Sequence, residues 1–206
     1  ASKNNIISSF LAGVAISIGG FAFLSSDSRV IGALLFSIGL FLVCTMGYNL
    51  FTGKICYIFS NDDFHIGFMV IVLLMNFVGT YMIGMLTRFV KPELIAVASN
   101  ICKNKLGEGL MVIPLGAMCN LLIFYAVHEY ANSKYETAKF MGIVLCVVVF
   151  ILCGFEHCIA NFFLIPAGLI VKEEYKVTVS TSGVNWGRFV YKSIVPVTLG
   201  NLVGGL

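Results

Sequence analysis

Charge is scarce in this chain. Of its 206 residues, 11% are Asp, Glu, Lys or Arg and 59% are hydrophobic, against roughly 25% charged in a soluble domain. The charges are also bunched: none falls between Asn4 and Ser26, Val30 and Gly53, Phe64 and Thr87, or Gly109 and His128. Each stretch is near or above the ~20 residues with which a helix crosses the hydrocarbon core of a bilayer. So few polar residues cannot cover the outside of a water-soluble domain, which excludes a soluble helical protein. The net charge of +3 is too small and too dispersed for a nucleic-acid binder. Paired cysteines are also missing. Cys44, Cys56, Cys102, Cys119, Cys146, Cys153 and Cys158 form no CxxC, and all but Cys102 lie in apolar segments, so reduced, buried, space-filling thiols are expected. Three scattered histidines do not supply the facing pairs of a haem-bearing oxidoreductase. His128-Glu129 opens like a zinc-protease motif, but position 132 is Asn, so the second ligand is absent. With no nucleophile elbow, phosphate loop or metal-spaced cluster, neither an enzyme nor a metal or cofactor site is expected.

What the chain does contain is six apolar segments. They run about Ile6–Leu24, Val30–Phe59, His65–Val90, Gly109–Ala131 and Lys139–Val171, and from Arg188 onward. The first is too long for the core of a signal peptide and lacks a cleavage site, so it reads as a retained span. The connections, including Lys91–Glu108, collect the Pro, Asp, Asn, Ser and Lys.

The second and fifth segments are too long to be straight spans. Each carries a polar, glycine-containing patch in its middle: Gly47-Tyr48-Asn49-Leu50-Phe51-Thr52-Gly53-Lys54 and Gly154-Phe155-Glu156-His157-Cys158-Ile159-Ala160-Asn161. Such groups are tolerated at bilayer depth where backbone lines a wet cavity or is buried in protein. Both segments are therefore predicted to be helices broken at mid-membrane. Asn76-Phe77-Val78-Gly79 follows the first break and Asn201-Leu202-Val203-Gly204 the second. The chain thus reads as a single transmembrane pore domain over 1–206, with repeats at about 1–92 and 103–206. Three spans per half is an odd number, so the second half is inverted, the arrangement of transport proteins. The predicted fold is an all-α membrane protein of six transmembrane helices, with broken second and fifth helices.

His157 is the most informative side chain, an ionisable group in an apolar segment and thus a functional candidate. It can donate a hydrogen bond to an anion or exchange a proton with it. Glu156 would repel an anion and is expected to support the break by pairing with a lysine or capping backbone. Thr52 and Lys54 offer a hydroxyl and a charge at the other break. Asn76, Asn120, Asn161 and Asn201 are candidates to satisfy broken backbone or to face the pore.

The two patches, with Asn76-Phe77-Val78-Gly79 and Ile194-Val195-Pro196-Val197-Thr198-Leu199-Gly200-Asn201, resemble the signature loops of the formate/nitrite transporter family over essentially the whole chain. The resemblance implies a homopentamer in a bacterial cytoplasmic (inner) membrane, with an aquaporin-like pore for a small anion in each protomer. It implies one constriction of Leu40, Leu50 and Phe51, and another of Phe36, Ile123 and Phe150. Thr52, His157 and Asn120 would sit in or near the chamber between them. Lys3 and Lys105 would be vestibule lysines, with Lys103 an equal candidate for the second. Cys158 stands where many relatives have Ser, and Lys54 where several have Asn, which points to the hydrosulfide branch. Lys and Arg around the spans would place the amino terminus outside, whereas the family has both termini in the cytoplasm. The expected function is permeation of hydrosulfide, formate or nitrite, with proton transfer near His157. The competing reading is an aquaporin-like neutral-solute channel, although paired Asn-Pro-Ala motifs are absent.

Overall fold

The computed structural model describes residues 3–60, 65–175 and 184–206. Parts of two expected connections, 61–64 and 176–183, lie outside them. Among the described residues every regular element is a helix. Four helices are long and apolar enough to cross a membrane: α1 (Lys3–Leu24), α2 (Arg29–Met46), α4 (Ile66–Val90, of which Ile66–Thr87 qualifies) and α6 (Val112–Asn132). The others are α3 (Phe51–Lys54), α5 (Leu94–Gly107), α7 (Glu136–Leu152), α8 (Cys158–Tyr175), α9 (Trp186–Arg188) and α10 (Val195–Gly205). A 3₁₀ turn (Ile55–Tyr57) continues α3, and a π turn (Phe189–Ile194) joins α9 to α10. Large apolar side chains such as Ile31, Leu35, Leu74, Leu145 and Val203 stay exposed along the helices. Such surfaces face lipid or another subunit, since water would penalise them.

The second and fifth segments are interrupted, and the two interruptions match bond for bond. α2 ends at Gly47, at φ 66°, and the Tyr48 N–H donates to Val43 O at 2.9 Å. After α7, Gly154 has φ 71°, and the Phe155 N–H donates to Phe150 O at 2.9 Å. Both are six-to-one Schellman closures, and both need a residue that adopts left-handed backbone without strain. The chain then resumes as α3 at Phe51 and as α8 at Cys158.

A buried asparagine grips each break. Asn76 on α4 accepts from the Phe51 N–H at 2.9 Å and donates to Asn49 O at 2.9 Å and Ser9 O at 2.6 Å. Asn201 on α10 accepts from the Cys158 N–H at 2.8 Å and donates to Glu156 O at 2.8 Å and Gly116 O at 2.9 Å. Backbone freed by breaking a helix in an apolar interior must find partners, and one amide side chain supplies them on each side. The residue between each gripped pair, Leu50 or His157, is left to project.

Glycines let the gripping helices come close enough. A Cβ on Gly79 would strike the Phe10 carbonyl of α1, and one on Gly204 the Ala117 carbonyl of α6. Backbone cannot step aside as a side chain can. Gly79→Ala should therefore cost about 1–3 kcal/mol, read as a lower thermal midpoint in detergent. Gly84→Ala is the control, because its Cβ would meet Phe163 O at an ordinary 3.6 Å and should leave the midpoint unmoved.

The expected connection Lys91–Glu108 is instead largely the helix α5. Leu94, Ala98, Cys102 and Leu106, spaced four apart, are all buried and form a stripe that packs on α8. Gly168 admits this contact, since a Cβ there would sit 2.6 Å from both Ala98 O and Cys102 Cβ. The thiols depart from expectation in the same region. Cys102 is buried on that stripe, while Cys153 is exposed where α7 ends.

Candidate functional site

The two breaks meet through a short polar bond. Thr52 Oγ1 lies 3.0 Å from His157 Nε2, and both residues are buried. The ring's other nitrogen fixes its tautomer. His157 precedes α8, and its Nδ1 accepts the Ala160 backbone N–H at 3.0 Å, as an N-cap side chain does. A backbone N–H can only donate, so Nδ1 carries the lone pair and the hydrogen sits on Nε2. The imidazole is neutral and donates to Thr52, whose hydroxyl hydrogen is left to offer elsewhere.

Two cavities lie near this pair. One, of about 460 Å³, is lined by Val43, Leu50, Gly53, Lys54, Val127 and Tyr130, among others. The other, of about 390 Å³, is lined by Phe36, Lys105, Glu108, Phe150, Glu156 and His157, among others. Thr52 adjoins Gly53 in the wall of the first, and His157 lies in the wall of the second. Thr52 itself is fully buried and lines neither cavity, so the Thr52–His157 bond runs from the wall of the second cavity to the residue beside the wall of the first. Phe150 stands edge-on to Phe36 at 6.0 Å and stacks on His157 at 5.8 Å between ring centres. Leu40, Phe51, Ile123 and Asn120 are buried and line neither cavity. The Asn120 amide donates to Thr52 O at 3.2 Å, which steadies the threonine.

A buried carboxylate sits one residue from the imidazole. Glu156, 3% exposed at the side chain, pairs with Lys105 Nζ at 2.6 Å. It also accepts from Asn161 Nδ2 at 2.5 Å, and the same amide donates to Ser193 Oγ at 3.1 Å. Ser193 lies in the π turn, a local widening that recurs at functional sites. Removing either partner of so buried a pair leaves an uncompensated charge, and here the pair holds the backbone that presents His157.

The candidate lysines separate clearly. Lys105 enters the His157 cavity, whereas Lys103, two residues away on α5, is exposed. Lys3 is exposed at the start of α1 and lines neither cavity. Lys54 is instead the lysine in the wall of the first cavity. Sequence reasoning missed Glu108, Ser193 and Arg29, whose guanidinium donates to Ile151 O at 3.0 Å and Leu152 O at 3.3 Å at the end of α7. Only the placement of α5, the π turn and the end of α7 gives these residues a role. His128 is exposed beside Tyr57 and Asn132. No cluster of three metal-ligating side chains occurs among the described residues.

Apolar spans, two interrupted helices and a buried polar pair joining the two interruptions define an integral, multi-pass membrane protein. The family model described as formate/nitrite transporter matches residues 2–206. The chain is 28% identical to the formate channel FocA of Haemophilus influenzae, over 86% of this chain and 70% of that one. It is 27% identical to a probable formate transporter of Methanothermobacter thermautotrophicus, over 97% of this chain and 84% of that one. Among solved structures, a pentameric formate channel with formate bound superposes with a TM-score of 0.88 at 26% identity, covering 98% of this chain and 92% of that one. The chain belongs to the formate/nitrite transporter family, and the relatives named above are channels and transporters rather than enzymes.

Proposed function

We propose that this chain is a channel for small monovalent anions (formate, nitrite or hydrosulfide), assembled as a homopentamer with a pore in each protomer. Its two halves, about 1–92 and 103–206, are inverted repeats of three helices in an aquaporin-like arrangement, set in a bacterial cytoplasmic membrane. The observation that carries the reading is the neutral Thr52–His157 pair, bonded at 3.0 Å, with His157 in the wall of one cavity and Thr52 next to Gly53 in the wall of the other. Leu40, Leu50 and Phe51 form the narrowing on one side, and Phe36, Phe150 and Ile123 the narrowing on the other. An anion entering either narrowing sheds water at a cost of several kcal/mol or more. Hydroxyl and imidazole hydrogens at the centre offset part of that cost. Lys105 and Lys54 attract anions into the two cavities, with Lys3 and Lys103 acting further out. The resemblance, through Lys54 and Cys158 as residue types, favours hydrosulfide as a substrate.

The bond from Ala160 to Nδ1 bears on proton transfer. If Nε2 gave its hydrogen to the anion, an imidazolate would remain unless Nδ1 took up another. Proton transfer therefore has to break the N-cap bond, and hydrogen-bond donation is the cheaper step. The test is flux through purified protein in liposomes. Formate, nitrite and hydrosulfide should each cross at least about tenfold faster than glycerol. Water or glycerol flux exceeding all three would replace this reading with the neutral-solute channel.

A further inference from the structure

Glu108 follows the last residue of α5 and lines the 390 Å³ cavity that leads to His157. Its Oε2 is buried without a hydrogen-bond partner. The nearby cations are committed elsewhere: Lys105, one turn earlier, to Glu156 at 2.6 Å, and Arg29 to the Ile151 and Leu152 carbonyls. The charged or titratable side chains lining this cavity are Arg29 from α2, Lys105 from α5, Glu108 itself, and Glu156 and His157 from the α7–α8 break. His157 is neutral by its bonding. With Glu108 ionised, two cations face two carboxylates. With Glu108 protonated, one positive charge is in excess.

We propose that Glu108 is a proton-operated switch on anion entry: ionised it keeps this mouth electrically balanced, and protonated it leaves the mouth cationic and offers an O–H to the arriving anion. The inference rests on the transport reading above. Two physical effects act together. Protonation removes a carboxylate that repels anions, and it turns an unsatisfied acceptor into a donor. Burial, then the charge of Glu156, hold this carboxyl above its ordinary range, with Lys105 opposing in part. The group therefore gains its proton at a higher pH than a free glutamate does, and anion entry rises as pH falls through that point.

The experiment compares wild type, Glu108→Gln and Glu108→Ser in liposomes, with formate flux measured at about pH 8 and about pH 5.5 on both faces. The readout is the ratio of variant to wild-type flux at each pH, because the titration of formate itself cancels in it. Both variants lack the ionised carboxylate, so the ratio should be about three to ten at the higher pH and fall toward one at the lower, as wild type takes up its proton. A ratio that is the same at both pH values overturns the switch and leaves the transport reading standing. Absence of formate, nitrite and hydrosulfide flux through wild type would remove the transport reading and the switch with it. Failure of both variants to assemble would make Glu108 a structural residue and also overturn the switch.

Discussion

His157→Phe and His157→Ala should each lower anion flux by at least about tenfold while the protein still assembles. The ring stacks on Phe150 at 5.8 Å, so phenylalanine keeps the packing and loses the chemistry. Two partners are then stranded in an apolar interior: the Thr52 hydroxyl, 3.0 Å away, and the Ala160 N–H, also at 3.0 Å. Losing the Nε2 hydrogen removes a donor that the dehydrated anion would meet, and an unmet hydrogen bond there costs about 1–3 kcal/mol. Alanine opens space as well, so a variant that leaks water but still excludes anions would separate shape from hydrogen bonding. Wild-type flux and wild-type pH dependence in both variants would take the imidazole out of the mechanism.

The second large effect concerns the scaffold. Asn201→Leu strips three hydrogen bonds at once, from the Cys158 N–H and to the Gly116 and Glu156 carbonyls. Asn76→Leu does the same for Phe51, Ser9 and Asn49. Leucine fills nearly the same volume, so the loss is polar rather than a cavity. Each orphaned buried group costs about 1–3 kcal/mol, enough to lower the thermal midpoint by about 10 °C or more. The second variant should lose flux as completely as it loses stability, because its bracket also orients α3, the helical turn that carries Thr52. A parent-like midpoint and flux in either variant would show that the breaks hold themselves.

The breaks were legible in the sequence because glycine and polar side chains at mid-bilayer depth weaken a continuous span and suit an interrupted one. The asparagines were legible as partners of broken backbone, although their bonds to carbonyls from a third helix were not. α5 was missed for a physical reason. Its exposed face carries Lys103 and Asn104, so charge density suggested a connection, while the four-residue spacing of Leu94, Ala98, Cys102 and Leu106 already spelled a buried stripe. The choice between Lys103 and Lys105 turned on that helix, since two residues rotate a side chain by more than half a turn. Glu108 gave no local signal at all. Its role comes from Arg29, Lys105 and Glu156, which tertiary packing brings to one cavity.

Both asparagine brackets touch main-chain atoms only. The brackets themselves consequently ask nothing of the side chain mounted at positions 50 and 157, where leucine stands in one half and histidine, which adds its own bond to Ala160, in the other. A lineage could exchange what the passage admits by changing those mounts, without rebuilding the joints that hold them. Selectivity in such a molecule is free to drift while its architecture stays put.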